Sequence, residues 1–144
     1  MAEQKLLASL LTSEEIRNAI IPSLEPRYYE SLGTASIFRE VLAINDRDQQ
    51  VNFESVGKAV EQDENALRIL AQLPLDQSYE SFDEALEIAR NCLEAIRDMA
   101  LRREISELSA QIYEAGTTGN NELCDQLTMR KLMLEKEQRS LAGD

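Results

Sequence analysis

The feature that most constrains this chain is a long segment without glycine or proline, at residues 81–115. It opens on Ser81-Phe82-Asp83-Glu84, a capping-box sequence in which a hydroxyl and a carboxylate satisfy free amides of a first helical turn. Its apolar residues recur every three or four positions, which is the period of one helix face. The segment therefore predicts one very long helix, or two in line, spanning about 50 Å. Its expected core stripe consists of Phe82, Ala85, Leu86, Ala89, Leu93, Ile96 and Ala100.

The chain before this segment is also predicted to be helical. No stretch alternates apolar and polar residues in the company of β-branched residues, so no strand is expected. Apolar spacings of three and four, interrupted by caps and turns, predict short helices. The first is expected at about 3–11, and the second begins at a cap at Thr12 and ends at Pro22. Two more are expected at 25–29 and, with a cap at Thr34, over 35–44. The last two begin after the caps Asn52 and Asp63. In the helix after Asn52 we expect Phe53 to face the core and Gly57 to mark a close approach by a neighbouring helix.

A turn and one more helix complete the predicted fold. Gly116-Thr117-Thr118-Gly119-Asn120 contains the residues that turns require, and Asn120 or Asn121 can cap the last helix. The apolar positions after residue 100 find no further bundle helix, so we expect them to pair with that last helix. The expected seam joins Leu101, Ile105, Leu108 and Ile112 to Leu123, Leu127, Leu134 and Leu141. The prediction is an all-α fold with a multi-helix bundle at 1–101 and an antiparallel helical hairpin at 102–144.

The charge balance argues against several classes of partner. The chain has 15 basic and 27 acidic residues, a net charge of −12. This charge repels the phosphate backbone and offers anionic lipid no basic patch, so we expect no direct nucleic-acid or membrane binding. The bundle at 1–101 carries 9 basic and 19 acidic residues, and the hairpin at 102–144 carries 6 and 8. The acidity therefore belongs to the bundle.

The residues for common catalytic and metal sites are missing from the sequence. Histidine is absent, and Cys92 and Cys124 are too far apart for a CxxC pair, so two reduced thiols in a cytosolic protein are expected. Asp46-x-Asp48-x-Gln50 begins like a calcium loop, but the glycine and the glutamate that such a loop needs later are replaced. The carboxylates of Glu80, Asp83, Glu84 and Glu87 fit a solvated first helical turn. We predict no catalytic residue, metal site or cofactor site, and no signal peptide or membrane span.

The hairpin carries more apolar side chains than its seam can cover. An antiparallel pair of helices has a narrow seam, and packing against the long helix explains only part of the apolar stretch at 129–134. We therefore predict a face that docks on another protein. It consists of Tyr113, Leu123, Leu127, Met129, Leu132 and Met133, with Arg130 and Lys131 at its edge.

The order and spacing of these helices resemble those of a known family. The sequences that carry the likeness are Ala-Glu-Gln-Lys-Leu-Leu-Ala-Ser-Leu-Leu at 2–11, Ile-Phe-Arg-Glu-Val-Leu at 37–42, the segment 82–103 and the last helix at 122–141. Together they are similar to the C-terminal helicase-interaction domain of bacterial DnaG-type primases. That resemblance implies a cytoplasmic adaptor without polymerase activity of its own. It would be monomeric alone, would dock on the N-terminal collar of the DnaB-type replicative helicase, and would recruit primase and modulate the helicase.

The N-terminal domain of DnaB-type helicases shares this bundle and is the alternative. That domain is followed by a linker and an ATPase, whereas here the hairpin leads straight to the end at Asp144. On this ground the sequence favours the primase family. The helicase alternative predicts that the chain self-associates through its hairpins.

Overall fold

The computed structural model describes residues 2–74 and 79–142, with side chains as far as Ser140. Eight α-helices, one short 3₁₀ helix and no strand occur in these residues, which confirms the all-α prediction with a long C-terminal pair of helices. Most of the predicted connector at 75–80 and the side chain of Leu141 lie outside the described residues. The α-helices are α1 (Ala2–Thr12), α2 (Glu14–Ile20), α3 (Pro26–Tyr29), α4 (Ala35–Asp46), α5 (Phe53–Ala59), α6 (Glu64–Ala71), α7 (Phe82–Thr117) and α8 (Asn121–Ala142), and the 3₁₀ helix is Ile21–Ser23.

The chain divides into two compact units, Met1–Ile96 and Arg97–Asp144. The long segment forms a single helix, α7, of 36 residues, which begins in the first unit and ends in the second. The domain boundary that we drew between residues 101 and 102 stays a prediction.

The core of the first unit is built on the apolar face of α1. Helix α1 contacts α2 and α4, and α4 in turn contacts α5 and α6. The rings of Tyr29 and Phe38 stack with their centroids 5.4 Å apart. The buried side chains of α1, α4 and the first part of α7 include Leu6, Leu7, Leu10, Leu11, Ile37, Phe38, Val41, Ala85, Ala89, Leu93 and Ile96.

Two predicted caps are confirmed and two predictions about threonines need correction. Asn52 forms a capping box with Ser55, and the carboxylate of Asp63 accepts a hydrogen bond from the backbone N–H of Ala66. Thr12 does not cap α2, because it is still part of α1 and its hydroxyl donates to the carbonyl of Ala8 over 2.8 Å. The cap of α2 is Ser13, whose Oγ accepts from the N–H of Ile16. Thr34 stands at the start of α4 without a side-chain cap bond.

Two phenylalanines expected in the core are exposed. Phe53 is 45% and Phe82 is 42% exposed. Each is the first residue of its helix, so no preceding turn of that helix covers its side chain. Our explanation of Gly57 is also wrong, because a Cβ built there would lie 3.6 Å from Cδ2 of Leu70, an ordinary van der Waals distance.

The second unit is the antiparallel hairpin of α8 with the C-terminal part of α7. Its turn contains Gly119 with φ of +75°, and Oδ1 of Asn120 accepts a hydrogen bond from the N–H of Leu123. Away from the turn, Nε2 of Gln138 donates to Oδ1 of Asp98 over 3.2 Å. The buried seam consists of Leu101, Leu108 and Leu134, with Ile105 and Leu127 packed against it.

Candidate protein-interaction surface

The hairpin exposes a group of large apolar side chains. Three of them lie on α8, where Met129 is 62%, Leu132 is 54% and Met133 is 61% exposed. At about 100° per residue, Met129 and Leu132 lie about 140° and 160° around α8 from Leu134, which is buried in the seam, and Met133 lies about 100° from it. Tyr113 on α7 and Leu123 near the start of α8 are also exposed.

The remaining residues of the predicted docking face lie elsewhere on the hairpin. Leu127 packs into the seam, and together with Leu123 it lines an open cleft of about 300 Å³ beside the turn. Arg130 pairs with Glu104 of α7, with 3.1 Å between Nη2 and Oε1. Lys131 is half-buried. The structure thus brings Met129, Leu132 and Met133 together on one side of α8, whereas Leu127 and Arg130 contact the rest of the hairpin.

Four charged residues that were not part of the predicted docking face share this side of α8. Glu122 and Asp125 lie toward its N-terminal end, Lys136 and Arg139 lie toward its C-terminal end, and all four are exposed. None of them takes part in an ion pair within the part of the chain that the structure describes. We use the name outward face of α8 for these four residues with Met129, Leu132 and Met133. The order of charge signs along α8 was the signal in the sequence that could have revealed them.

The described residues offer little for other chemistry. No group of three or more His, Cys, Asp or Glu side chains in them could hold a metal ion. Burial raises the pKa of the Cys92 thiol above its ordinary value, and a Coulombic contribution from Lys5 opposes this only partly. Both cysteines are free. None of the helices in the ranges 2–74 and 79–142 is long and apolar enough to cross a bilayer.

A comparison with known families identifies the family through the first unit. A family model described as the DnaB-like helicase N-terminal domain matches residues 1–97, about two thirds of the chain. The chain belongs to this family. The DnaB-like helicase N-terminal domain is a non-catalytic domain of a DNA replication protein. Comparisons with curated proteins and with solved structures give no significant match.

This match overturns the primase interpretation. The resemblance to a primase C-terminal domain, and the function of recruiting primase to the helicase, are both wrong. Both families were expected to share the helical bundle, so the choice between them depended on the end of the sequence at Asp144. The last residue of a sequence carries no information about the bundle that precedes it. The prediction that the chain is monomeric was inferred from the primase resemblance, so it no longer has support.

Proposed function

We propose that this chain is the N-terminal domain of a DnaB-type replicative helicase and that it joins helicase subunits by self-association. The family match over residues 1–97 supports the helicase assignment. The observation that carries the self-association is the exposure of Met129, Leu132 and Met133 on one side of α8. We expect the domain to act in the cytoplasm as a component of DNA replication.

Burial of these side chains would supply a driving force for association. A fully buried Leu or Met contributes about 1.5 to 3 kcal/mol relative to an exposed one. Three such side chains on each of two copies contribute a favourable term of the same order as the translational and rotational freedom lost on binding, about 4 to 15 kcal/mol. Their partly exposed starting state makes the available gain smaller than the full-burial value.

The charge distribution favours contact through the hairpin over contact through the bundle. Residues 1–96 carry 8 basic and 18 acidic residues, a net charge of −10, whereas residues 97–144 carry 7 and 9, a net charge of −2. Two copies that approach through their bundles repel each other strongly. Two copies that approach through their hairpins meet much less repulsion, and they do so where the apolar side chains are exposed.

Sedimentation equilibrium of the 144-residue chain tests this proposal. We expect the apparent mass to rise above that of the monomer as the protein concentration is raised. The double variant Met129→Asp with Met133→Asp should stay monomeric and keep its helical circular dichroism. Met99→Asp is the matched control, because Met99 is an exposed methionine of the same unit on α7. A wild-type chain that remains monomeric at every concentration would contradict the proposed function.

A further inference from the structure

We propose that a polar cleft in the first unit binds a free α-amino acid with a cationic side chain, such as lysine or arginine. In this assignment the guanidinium of Arg17 holds the α-carboxylate of the ligand, and Glu14 and Asp48 hold its two cationic groups. The inference goes beyond the proposed function and does not depend on it, because it concerns residues of α2 and of the end of α4.

This α2–α4 cleft has a volume of about 440 Å³. Glu14, Arg17 and Asn18 line it from α2, and Asn45 and residues 48–50 line it from the end of α4 and the loop that follows. Arg17 and Asn18 lie three and four positions after Glu14, a spacing that places side chains on one face of a helix. Every lining residue carries a charged or an amide side chain. A cleft of this size accommodates a small molecule, and its lining suits a polar, charged one.

Arg17 is the buried charge of the α2–α4 cleft. It is 9% exposed, and its one hydrogen bond within the described residues runs from Nη1 to the carbonyl oxygen of Leu10, over 2.8 Å. In that part of the chain it forms no ion pair, although Glu14 and Asp48 line the same cleft. A guanidinium has five N–H donors, and a buried charge is costly unless it is paired. Arg17 therefore has donors left for an anionic group that enters the cleft.

The loop after α4 holds a carboxylate where glycine is the usual residue. Asp48 has φ of +56°, and the N–H groups of Asp48 and Gln49 donate to the carbonyls of Asn45 and Ile44 over 3.0 and 3.2 Å. These two bonds form a Schellman motif, in which glycine avoids the strain of a left-handed backbone. The motif fixes the loop whose residues 48–50 line the cleft. Asp48 thus keeps a carboxylate at this site in spite of the strain.

The charges of the α2–α4 cleft complement those of a basic amino acid. Two carboxylates and one guanidinium give the lining a net charge of −1, whereas two cationic groups and one carboxylate give the ligand a net charge of +1. Opposite charges that line one cleft without pairing match the separated charges of such a ligand. A guanidinium binds a carboxylate through two parallel hydrogen bonds, and the amides of the lining supply neutral donors and acceptors. The two carboxylates of the lining repel a phosphate, which carries more negative charge than a carboxylate.

Nuclear magnetic resonance titration of the isotope-labelled 144-residue chain tests the assignment. The probes are L-lysine, cadaverine, which is lysine without its α-carboxylate, and ε-aminocaproate, which is lysine without its α-ammonium group. We expect L-lysine to shift the amide resonances of residues 14–18 and 45–50 saturably and with one-to-one stoichiometry. The other two probes should bind about tenfold more weakly or worse, because each lacks one charge that the cleft recognises.

The comparison between L-lysine and cadaverine separates recognition from general attraction. This acidic chain attracts the diamine more strongly, because cadaverine carries two positive charges and no negative one. Tighter binding of L-lysine therefore requires a group that recognises the carboxylate. Equal or tighter binding of cadaverine, an absence of shifts with L-lysine, or tighter binding of inorganic phosphate than of L-lysine would each overturn the inference.

Replacement of Arg17 by lysine tests the contact with the carboxylate. Arg17→Lys keeps a positive charge and a donor for the carbonyl of Leu10, but it removes the planar fork that binds a carboxylate through two bonds. We expect its Kd for L-lysine to rise about tenfold, while the weak binding of cadaverine stays unchanged. Circular dichroism checks that the variant is folded, and a wild-type Kd for L-lysine in the folded variant would contradict the role of Arg17.

Asp48 offers a variant whose binding defect cannot come from unfolding. Asp48→Gly relieves the left-handed strain, so we expect its melting temperature to equal or exceed that of wild type while its Kd for L-lysine rises about tenfold. Asp46→Asn is the matched control, because it removes one negative charge at an exposed position that does not line the cleft. We expect the control to change this Kd by less than about twofold. Equal weakening by both variants would show that net charge governs binding, and the inference would fail.

The outcomes distinguish this inference from the proposed function. The α2–α4 cleft lies within the first unit, whereas the apolar side chains proposed to drive association lie on α8 in the second. A chain that self-associates but does not bind L-lysine would defeat this inference alone. A chain that binds L-lysine in the cleft but stays monomeric would defeat the proposed function alone.

Discussion

Arg130 of α8 donates a hydrogen bond from Nη2 to Oε1 of Glu104 on α7, with 3.1 Å between the two atoms. Both side chains are partly exposed, and ion pairs in such positions contribute about 0 to 1 kcal/mol. The contact holds Arg130 on the side of α8 that faces α7, away from the outward face.

We therefore expect Arg130→Ala to lower the free energy of unfolding by less than about 1 kcal/mol and to leave self-association unchanged. Urea denaturation and sedimentation of the same variant measure the two quantities. Loss of association in this variant would return Arg130 to the interaction surface.

Two leucines that lie two positions apart on α8 should have separable roles. Leu134 is 1% exposed in the hairpin seam, whereas Leu132 is 54% exposed. We expect Leu134→Ala to lower the free energy of unfolding by about 2 to 5 kcal/mol, because it leaves a cavity among buried side chains. Leu132→Ala should change the stability of the dilute monomer little and should weaken self-association. Denaturation at low protein concentration and sedimentation at high concentration separate the two effects, and equal destabilisation by both variants would contradict the assignment.

Replacement of two glycines by alanine should change stability in opposite directions. A Cβ at Gly57 meets Leu70 at an ordinary distance, so Gly57→Ala should raise the free energy of unfolding by about 0.5 to 1 kcal/mol. Gly119 has φ of +75°, where an L side chain is strained, so Gly119→Ala should lower that free energy by about 1 to 2 kcal/mol. Thermal denaturation followed by circular dichroism measures both. A destabilising Gly57→Ala would show that α5 and α6 need the close approach after all.

The two cysteines should differ in their reaction with an alkylating reagent. Cys92 is buried and desolvation raises its pKa above the ordinary 9.0, so its thiolate forms only at higher pH. Cys124 is only partly buried. We expect iodoacetamide at mildly alkaline pH to modify Cys124 first, as mass spectrometry of the intact and digested chain would show.

Because its pKa is raised, Cys92 also makes the free energy of unfolding depend on pH. Because the pKa of Cys92 is higher in the folded chain than in the unfolded chain, the thiol contributes stability at every pH below the unfolded-state pKa. This contribution is lost as the pH rises through the folded-state pKa. A Cys92→Ala variant should therefore lose less stability than wild type in the alkaline range above 9.0, and a parallel decline of the two would contradict this account.

A buried arginine should contribute to the stability of the first unit. Nη1 of Arg17 donates to the backbone carbonyl of Leu10 at the end of α1, over 2.8 Å and in a buried position. Because this hydrogen bond comes from a charged donor, Arg17→Ala should lower the free energy of unfolding by about 1.5 to 3 kcal/mol. Arg47→Ala is the control, since Arg47 is exposed. Similar urea midpoints for the two variants would contradict the role of Arg17.

Local chemistry made parts of the fold predictable from the sequence. Asn52, Asp63 and Asn120 cap helices because their side chains reach amides only two or three residues away, and such contacts can be read from spacing alone. Periodicity likewise located the seam residues Leu108 and Leu134. Phe53 and Phe82 were misplaced because periodicity defines a helix face but does not show whether another element covers its first residue.

The candidate surface was harder to predict than the fold. The exposed apolar residues of α8 could be identified, because a two-helix seam covers only one side of each helix. Leu127 packs against the seam and Arg130 pairs with Glu104, and the spacing of residues along α8 does not show either contact. The burial of Arg17 depends on a contact seven residues away, across the junction of α1 and α2, and the sequence gives no signal for it.

Because Leu132 and Leu134 point to opposite sides of one helix, fold and association can diverge independently in evolution. The seam keeps the hairpin folded while substitutions accumulate at the exposed positions of α8. Under the proposed self-association, related helicases that share one cell would lose the ability to mix their subunits through a few substitutions there, with the architecture of each preserved.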